Sequence, residues 1–577
     1  MKDYRFRRTF VFLASAVLFL ADSCVDPATP FANEYTPNIR LNQIGYYPTA
    51  VKKATVLQGE GKEEFKIVDK YKMEVIHTGK LSQPHDWDLA GETARVADFS
   101  SIKDAGTYMI LVEGLGYSYP FEIRNSVLDS TFLGSIKGLY YQRMGIALRE
   151  EHAGQWQRPM AHSDDSVLYH PSSGRTKGSL SSPGGWYDAG DYNKYVVNGS
   201  FPLGQLFLLE EQYPGIIEDK ELVIPESGNG ISDYLDELRY EMDWLLTMQD
   251  TDGGLFHKLT TKNFEPMVMP HEATGQRYIV GKGTAATLDF SACAAQAYRI
   301  FREQDADYAA KCLEASKRAY AWALKNPQIE FVNPLDISTG QYGDTNFDDE
   351  WFWADAELFI TTKNPSYLDH LNTDSIDFTF KPAESWTGYM RFLGMFSLLE
   401  NREVVPPDLY QRLRSGIMGS ANVLVEKAKK LDYFQPIDDF HWGSNSDVLN
   451  AAMIMAQAYR LEKKEEYLVG VQQAMDYVLG HNAMGLSYLT GFGDKTPMFI
   501  HHRQSAADGI PEPVPGLLSG GPNSRLQDTV GGAVYPKNPA PMKSWVDQEP
   551  SYASNEICLN WNAPMTYVLG FLEQESK

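Results

Sequence analysis

The residues able to do chemistry gather in two short stretches where carboxylates sit among aromatic rings. The first is Gly184-Gly185-Trp186-Tyr187-Asp188-Ala189-Gly190-Asp191-Tyr192-Asn193-Lys194-Tyr195. Its glycines reach backbone angles that other residues avoid. A shaped loop is therefore expected, carrying Asp188 and Asp191 between flat apolar faces. Such a mixture suits a neutral, hydroxyl-rich ligand with hydrophobic ring faces. Alone, a D-x-x-D turn is read more simply as aspartates capping backbone N–H groups. The second stretch runs from Trp545 to Pro564 and sets Glu556 among Tyr552, Ile557, Leu559 and Trp561. An apolar setting disfavours the charged carboxylate and raises its pKa. One carboxyl kept protonated while others stay ionised is the division of labour of glycoside hydrolysis.

Together the two stretches resemble glycoside hydrolase family 9, the cellulase family with an (α/α)6 barrel. A third stretch, Gly480 to Gly493 leading to Ile500-His501-His502-Arg503, is similar to the family's signature ending in H-x-R. The resemblance implies Asp191 as general base, Asp188 as its partner in holding the water, and Glu556 as general acid. It implies that His501 and Arg503 donate hydrogen bonds to sugar hydroxyls beside the cleavage point, and that Asp547 supports the site. Cys558 stands where the family has Ser, Thr or Ala. Trp442-Gly443-Ser444-Asn445 matches a cleft segment, so Trp442 and Tyr552 are stacking candidates, although a tryptophan at such a junction more often belongs to a core. Tyr342-Gly343-Asp344 and Asp349-Glu350 resemble a segment that binds structural calcium in some members, and hard oxygen ligands suit Ca²⁺. Thr387 replaces a further acidic ligand there, so calcium at Asp349 and Glu350 is an open expectation and no cofactor is required. Zinc is not expected, because Met144 and Ala161 stand where relatives place cysteine thiolates.

These motifs need a large scaffold. The 577 residues exceed one ordinary domain, and 43% hydrophobic with 12% aromatic content is ample for a core and for sugar-stacking surfaces. A net charge of −24 argues against nucleic-acid or anionic-membrane binding, which use basic patches. Residues 1–23 read as an export signal, with Lys2, Arg5, Arg7 and Arg8 ahead of a twelve-residue apolar run from Thr9 to Leu20. Ser23-Cys24 resembles a bacterial lipoprotein junction, with Cys24 carrying the lipid. An ordinary cleaved secretion signal is the alternative. The expected location is the outer membrane or cell surface of a Gram-negative bacterium, as a monomer held only by that anchor. Cys293, Cys312 and Cys558 are too few and too scattered for a disulfide framework.

Residues 24–38 read as a tether. Residues 39–124 alternate short β-type runs with turns, as a sandwich does, and Ile39 to Tyr46 resembles the immunoglobulin-like module that precedes some family 9 domains. Helical periodicity then dominates 126–577. The expected fold is multidomain: a small all-β immunoglobulin-like sandwich followed by an all-α (α/α)6 barrel. The Pro-rich stretch Thr490 to Lys543 is read as a functional loop. Two clustered aspartates are suited to gripping a water, and an inverting site leaves about 6.5–9.5 Å between acid and base for it. The expected activity is an inverting endo-β-1,4-glucanase acting on cellulose, mixed-linkage glucan or xyloglucan. The competing readings are an exo-acting β-glucosidase or glucosaminidase of the same family, and a surface glycan-binding lipoprotein without catalysis.

Overall fold

The computed structural model describes residues 34–175, 177–368, 371 and 377–576. The export segment 1–23, Cys24 and most of the tether lie outside the described residues. Two sheets form the first layer pair. One runs in the order Ile39–Arg40, Lys53–Leu57, Glu92–Asp98, His85–Trp87. The other runs Gly45–Tyr46, Phe121–Ile123, Gly106–Val112, Glu64–Asp69, Val75–Lys80, with Gly116–Tyr117 paired to Gly106–Val112. Alternation decides which face is buried: Ala54, Val56, Phe65, Ile67, Ile110, Val112 and Phe121 meet between the sheets.

From Asp129 onward, helices that are buried almost all round alternate with helices that expose one face. The inner set is Val196–Gln212, Thr284–Phe301, Asp348–Thr362, Met390–Glu400, Ser444–Glu462 and Leu559–Glu575. The outer set includes Asp129–Tyr141, Asp233–Thr247, Ala306–Lys325, Pro407–Ala428 and Glu465–Val478. This is the double ring of an (α/α)6 barrel. Two outer helices start at polar caps: Ser232 accepts from Tyr234 N–H and Asp305 from Tyr308 N–H, filling donors the helix leaves unpaired. Helical periodicity does not reveal one further element, a five-stranded sheet ordered Ser179–Leu180, Val167–Tyr169, Arg277–Lys282, Phe256–Thr261, Lys194–Tyr195. It fixes the end of the glycine-rich loop, pairing Lys194 with Leu259 and Tyr195 with Lys258.

The sandwich is packed on the barrel through buried polar contacts. Asn42 Nδ2 donates to Asp476 (2.8 Å), Gln43 N–H to the Leu479 carbonyl (3.0 Å), and Tyr47 OH to Glu573 (2.6 Å). Glu92 pairs with Arg40 (2.9 Å) and with Lys543 (2.7 Å), and accepts from Tyr433 OH (2.8 Å). Trp87, Tyr47 and Ala50 of the sandwich belong to the barrel's own hydrophobic cluster, so the barrel's core extends onto the module, which keeps a core of its own between its sheets. No helix among the described residues is long and apolar enough to cross a membrane.

Candidate active site

The cleft that holds the motifs has a volume of about 610 Å³, and Asp188, Asp191, His501, Arg503, Tyr552, Glu556 and Trp442 all line it. Main-chain bonds lace four separate segments around it. His501 N–H donates to the Asn555 carbonyl (2.9 Å), Gly520 N–H to the Glu556 carbonyl (2.9 Å), and Arg503 N–H to the Gly190 carbonyl (3.1 Å). Leu559, the first residue of the last inner helix, donates its N–H to the Asp188 carbonyl (3.0 Å). One of the helix's orphan donors thereby ties the acid's segment to the base's loop. Gly190 must be glycine for this closeness, since a Cβ there would lie 1.9 Å from the His501 carbonyl oxygen.

Both aspartates are buried, and each has an amide and a phenol for partners. Asp188 accepts from Asn198 Nδ2 (2.6 Å) and Tyr342 OH (2.6 Å). Asp191 accepts from Asn193 Nδ2 (2.5 Å) and Tyr195 OH (3.3 Å). Burial first, and then the neighbouring Asp191, push Asp188 up to about 8. Burial also raises Asp191, but Arg503, Asn193 and Tyr195 pull it back. Two adjacent carboxyls share the cost of a second charge. The Arg503 guanidinium favours the charged form of Asp191. Glu556 is raised well above the ordinary carboxyl range by burial and then by Asp191 and Asp188.

Burial lowers His501 to about 4, so its ring is neutral. Nδ1 lies 2.7 Å from the Glu549 carbonyl, which only accepts, so the proton sits on Nδ1. Nε2 is then left to accept from a sugar hydroxyl rather than to donate, the reverse of the role the family resemblance suggests. Arg503 spends Nη1 on the Gly190 carbonyl and Nε on the Glu265 carbonyl, both at 2.8 Å. Among the described residues Nη2 has no partner and is the donor left for the ligand. Asp547 stays outside the cleft and accepts from Met498 N–H (2.9 Å), Phe499 N–H (2.8 Å) and Asn555 Nδ2 (3.1 Å). It thus braces the segments of His501 and Glu556 together. Trp442, 41% exposed, lies 5.2 Å from the Tyr552 ring. Cys558 is buried, with Asn198 Nδ2 3.2 Å from its sulfur.

Several residues at the site carry no mark in the sequence. Tyr342 was read only as part of an ion-binding segment, yet its hydroxyl holds Asp188. Lys258 is buried on Phe256–Thr261 with Nζ on Gly340 O (2.8 Å), Asn333 Oδ1 (2.7 Å) and Thr339 Oγ1 (3.1 Å). Burial lowers it to about 7 against the fields of Asp191 and Asp188. Asp344, Asp349 and Glu350 bring carboxylate oxygens within 4.8 Å of one another. Asp289, on Thr284–Phe301, adds two more buried oxygens without partners, as does Glu350. Near Met144 and Ala161, His162 already spends both ring nitrogens, on Tyr187 OH (2.7 Å) and the Ala273 carbonyl (2.9 Å).

The sequence pattern of Glycosyl hydrolase family 9 matches residues 129–569, and that of the Cellulase N-terminal ig-like domain matches 34–117. A xyloglucan-specific endo-β-1,4-glucanase of Bacteroides ovatus is 38% identical, covering 99% of each chain. Endoglucanase D of Acetivibrio thermocellus is 36% identical over 94% of this chain and 84% of its own. Among solved structures, a family 9 protein of Bacteroides ovatus superposes with a TM-score of 0.87 at 36% identity, covering 94% of this chain and 100% of that one. A metagenome-derived family 9 endoglucanase gives 0.86 at 32% identity, covering 93% and 98%. With a carboxylate cleft on an (α/α)6 barrel, an immunoglobulin-like module docked against it and matches running nearly end to end, this chain belongs to glycosyl hydrolase family 9.

Proposed function

We infer that the chain is an inverting endo-β-1,4-glucanase. The observation that carries this is the gathering of three buried carboxyls, Asp188, Asp191 and Glu556, with Arg503 in one cleft; burial raises Glu556, while Arg503 favours the charge on Asp191. Glu556 gives its proton to the glycosidic oxygen as the bond to the anomeric carbon breaks. A water held between Asp188 and Asp191 attacks that carbon from the opposite face, and Asp191 takes its proton. Glu556 ends ionised and Asp191 protonated, and exchange with solvent resets both. Xyloglucan is placed first among substrates because the relative matched over 99% of both chains is xyloglucan-specific. ¹H NMR of fresh xyloglucan digests should show the α-anomer before mutarotation. Asp191→Ala should lose more activity than Asp188→Ala. An initial β-anomer would make Asp191 a nucleophile and end this mechanism.

Because its pKa is raised, Glu556 keeps its proton at pH values where an ordinary carboxyl has lost it, and the rate falls only as pH passes that raised value. The basic limb of the kcat/KM profile therefore belongs to Glu556 and the acidic limb to Asp191. Glu556→Gln should abolish the basic limb. It should slow polysaccharide cleavage by roughly 10²–10⁴-fold while sparing aryl glycosides with good leaving groups. Equal loss on both substrate types would refute the assignment.

The buried acids Asp289, Asp344, Asp349 and Glu350 fit a structural calcium. Several of their oxygens have no hydrogen-bond partner among the described residues, Arg391 offsets only part of the charge at Asp349, and burying charge without full compensation is expensive. Asp289 adds its field to that of the other three acids. A bound ion would hold the loop that carries Tyr342, two residues before Asp344, against Asp188. Chelation should lower Tm and calcium should restore it; a ligand at a hundred times its Kd is worth about 2.7 kcal/mol. An unchanged Tm would remove calcium from the account.

Cys24 is proposed as the lipid anchor of an outer-membrane protein, on the strength of the basic head, the short apolar run and the small residue before it. Cys24→Ser should shift the enzyme from membrane to soluble fractions at unchanged specific activity. Membrane retention of that variant would exclude the anchor.

A further inference from the structure

We propose that Phe264 is a sugar-stacking platform on the side of the cleavage point opposite Trp442, and that the two rings together set where a chain is cut. This rests on the glucanase reading above. Phe264 lines the cleft that holds the carboxylates and is 48% exposed there, so its ring face is free to take a ligand.

Its position follows from the segment that carries His501 and Arg503. His502 is extended (φ −142°, ψ 116°), so His501 and Arg503 emerge on the same side, one step apart along the cleft. The Tyr552 ring lies 6.0 Å from that of His501, and the Trp442 ring 5.2 Å from that of Tyr552. The Arg503 guanidinium sits 5.6 Å from the centre of the Phe264 ring. Neighbour to neighbour, these contacts make a chain of Trp442, Tyr552, His501, Arg503 and Phe264. The catalytic carboxyls stand at its middle: His501 bridges to Glu556, and Arg503 grips the carbonyl of Gly190, the residue before Asp191. Aromatic faces with polar tips between them match a polymer of pyranose rings that presents apolar faces and equatorial hydroxyls in turn.

The ring is also firmly mounted. Thr261 Oγ1 donates to the Asn263 carbonyl (2.6 Å), Ser338 Oγ to Asn263 Oδ1 (2.9 Å), and Gly275 N–H to Glu265 Oε1 (2.8 Å). Thr261 N–H in turn donates to Asn193 Oδ1 (3.0 Å), and Asn193 is the residue whose amide holds Asp191. A sugar pressed on Phe264 thus bears on a loop fixed to the catalytic base. The side chain itself supports none of these bonds, so its removal leaves the loop in place.

The test uses a β-1,4-linked glucohexaose labelled at its reducing end, with the frequency of cleavage at each bond read by mass spectrometry. Removing a platform weakens one side of the cleft, so bound chains slide to fill the other. Phe264→Ala should move the preferred cut toward one end and Trp442→Ala toward the other. Each should lower kcat/KM roughly tenfold, the size expected when an aromatic face loses its apolar contact. Phe264→Trp should restore the wild-type pattern, and Tm reports whether each variant is folded. If Phe264→Ala leaves the pattern unchanged, or both variants shift the cut the same way, Phe264 is no platform. If the wild-type enzyme leaves both this hexaose and xyloglucan oligosaccharides intact, the glucanase reading fails first.

Discussion

Two carboxylates three residues apart and out of water cannot both be charged cheaply, and most of the site can be understood as a response to that constraint. Asn198 and Tyr342 attend Asp188, Asn193 and Tyr195 attend Asp191, and Arg503 favours the charge on Asp191. The same repulsion acts on Glu556, where it is useful, because it keeps the acid's proton in place. Removing water from the cleft therefore does two jobs at once. It makes the base depend on Arg503, Asn193 and Tyr195 for its charge, and it lets an ordinary glutamic acid act as a proton donor near neutral pH.

The scaffold answers the need to hold these groups without slack. The carboxyls come from loops at one end of the barrel, where rigid helices position variable connections. Yet the loops are stitched to one another by main-chain bonds, and one helix begins on the carbonyl of Asp188. The immunoglobulin-like module adds no residue to the cleft. It covers the barrel's flank, and its Glu92 draws Lys543, from the Pro-rich stretch before the acid's segment, into a half-buried ion pair.

How much of this was readable depended on whether a signal was local. The Asp188, Asp191 and Glu556 motifs, the sandwich and the outer helices could be read because composition and period announce them within a dozen residues. Helix Val196–Gln212 could not. It is buried all round, contains Pro202 and has no polar face to set a period. The five-stranded sheet escaped because its strands are short and pair across long separations. Tyr342, Lys258 and Phe264 escaped because each reaches the site from a distant segment. The role of His501 escaped because a tautomer is set by a carbonyl that only the fold brings near. Asp289 was hidden inside a helix as one acid among many.

The docking of the module has a consequence for how the chain is made. Asn42 meets Asp476 across 434 residues and Thr55 meets His481 across 426. Contacts so far apart in sequence are entropically late. The half of the interface synthesised first must wait, exposed, for the half synthesised last. Until then Trp87, Tyr47 and Ala50 have no barrel to cover them. An interrupted chain would thus display a sticky, half-finished surface, and proteolysis would distinguish it from the finished enzyme.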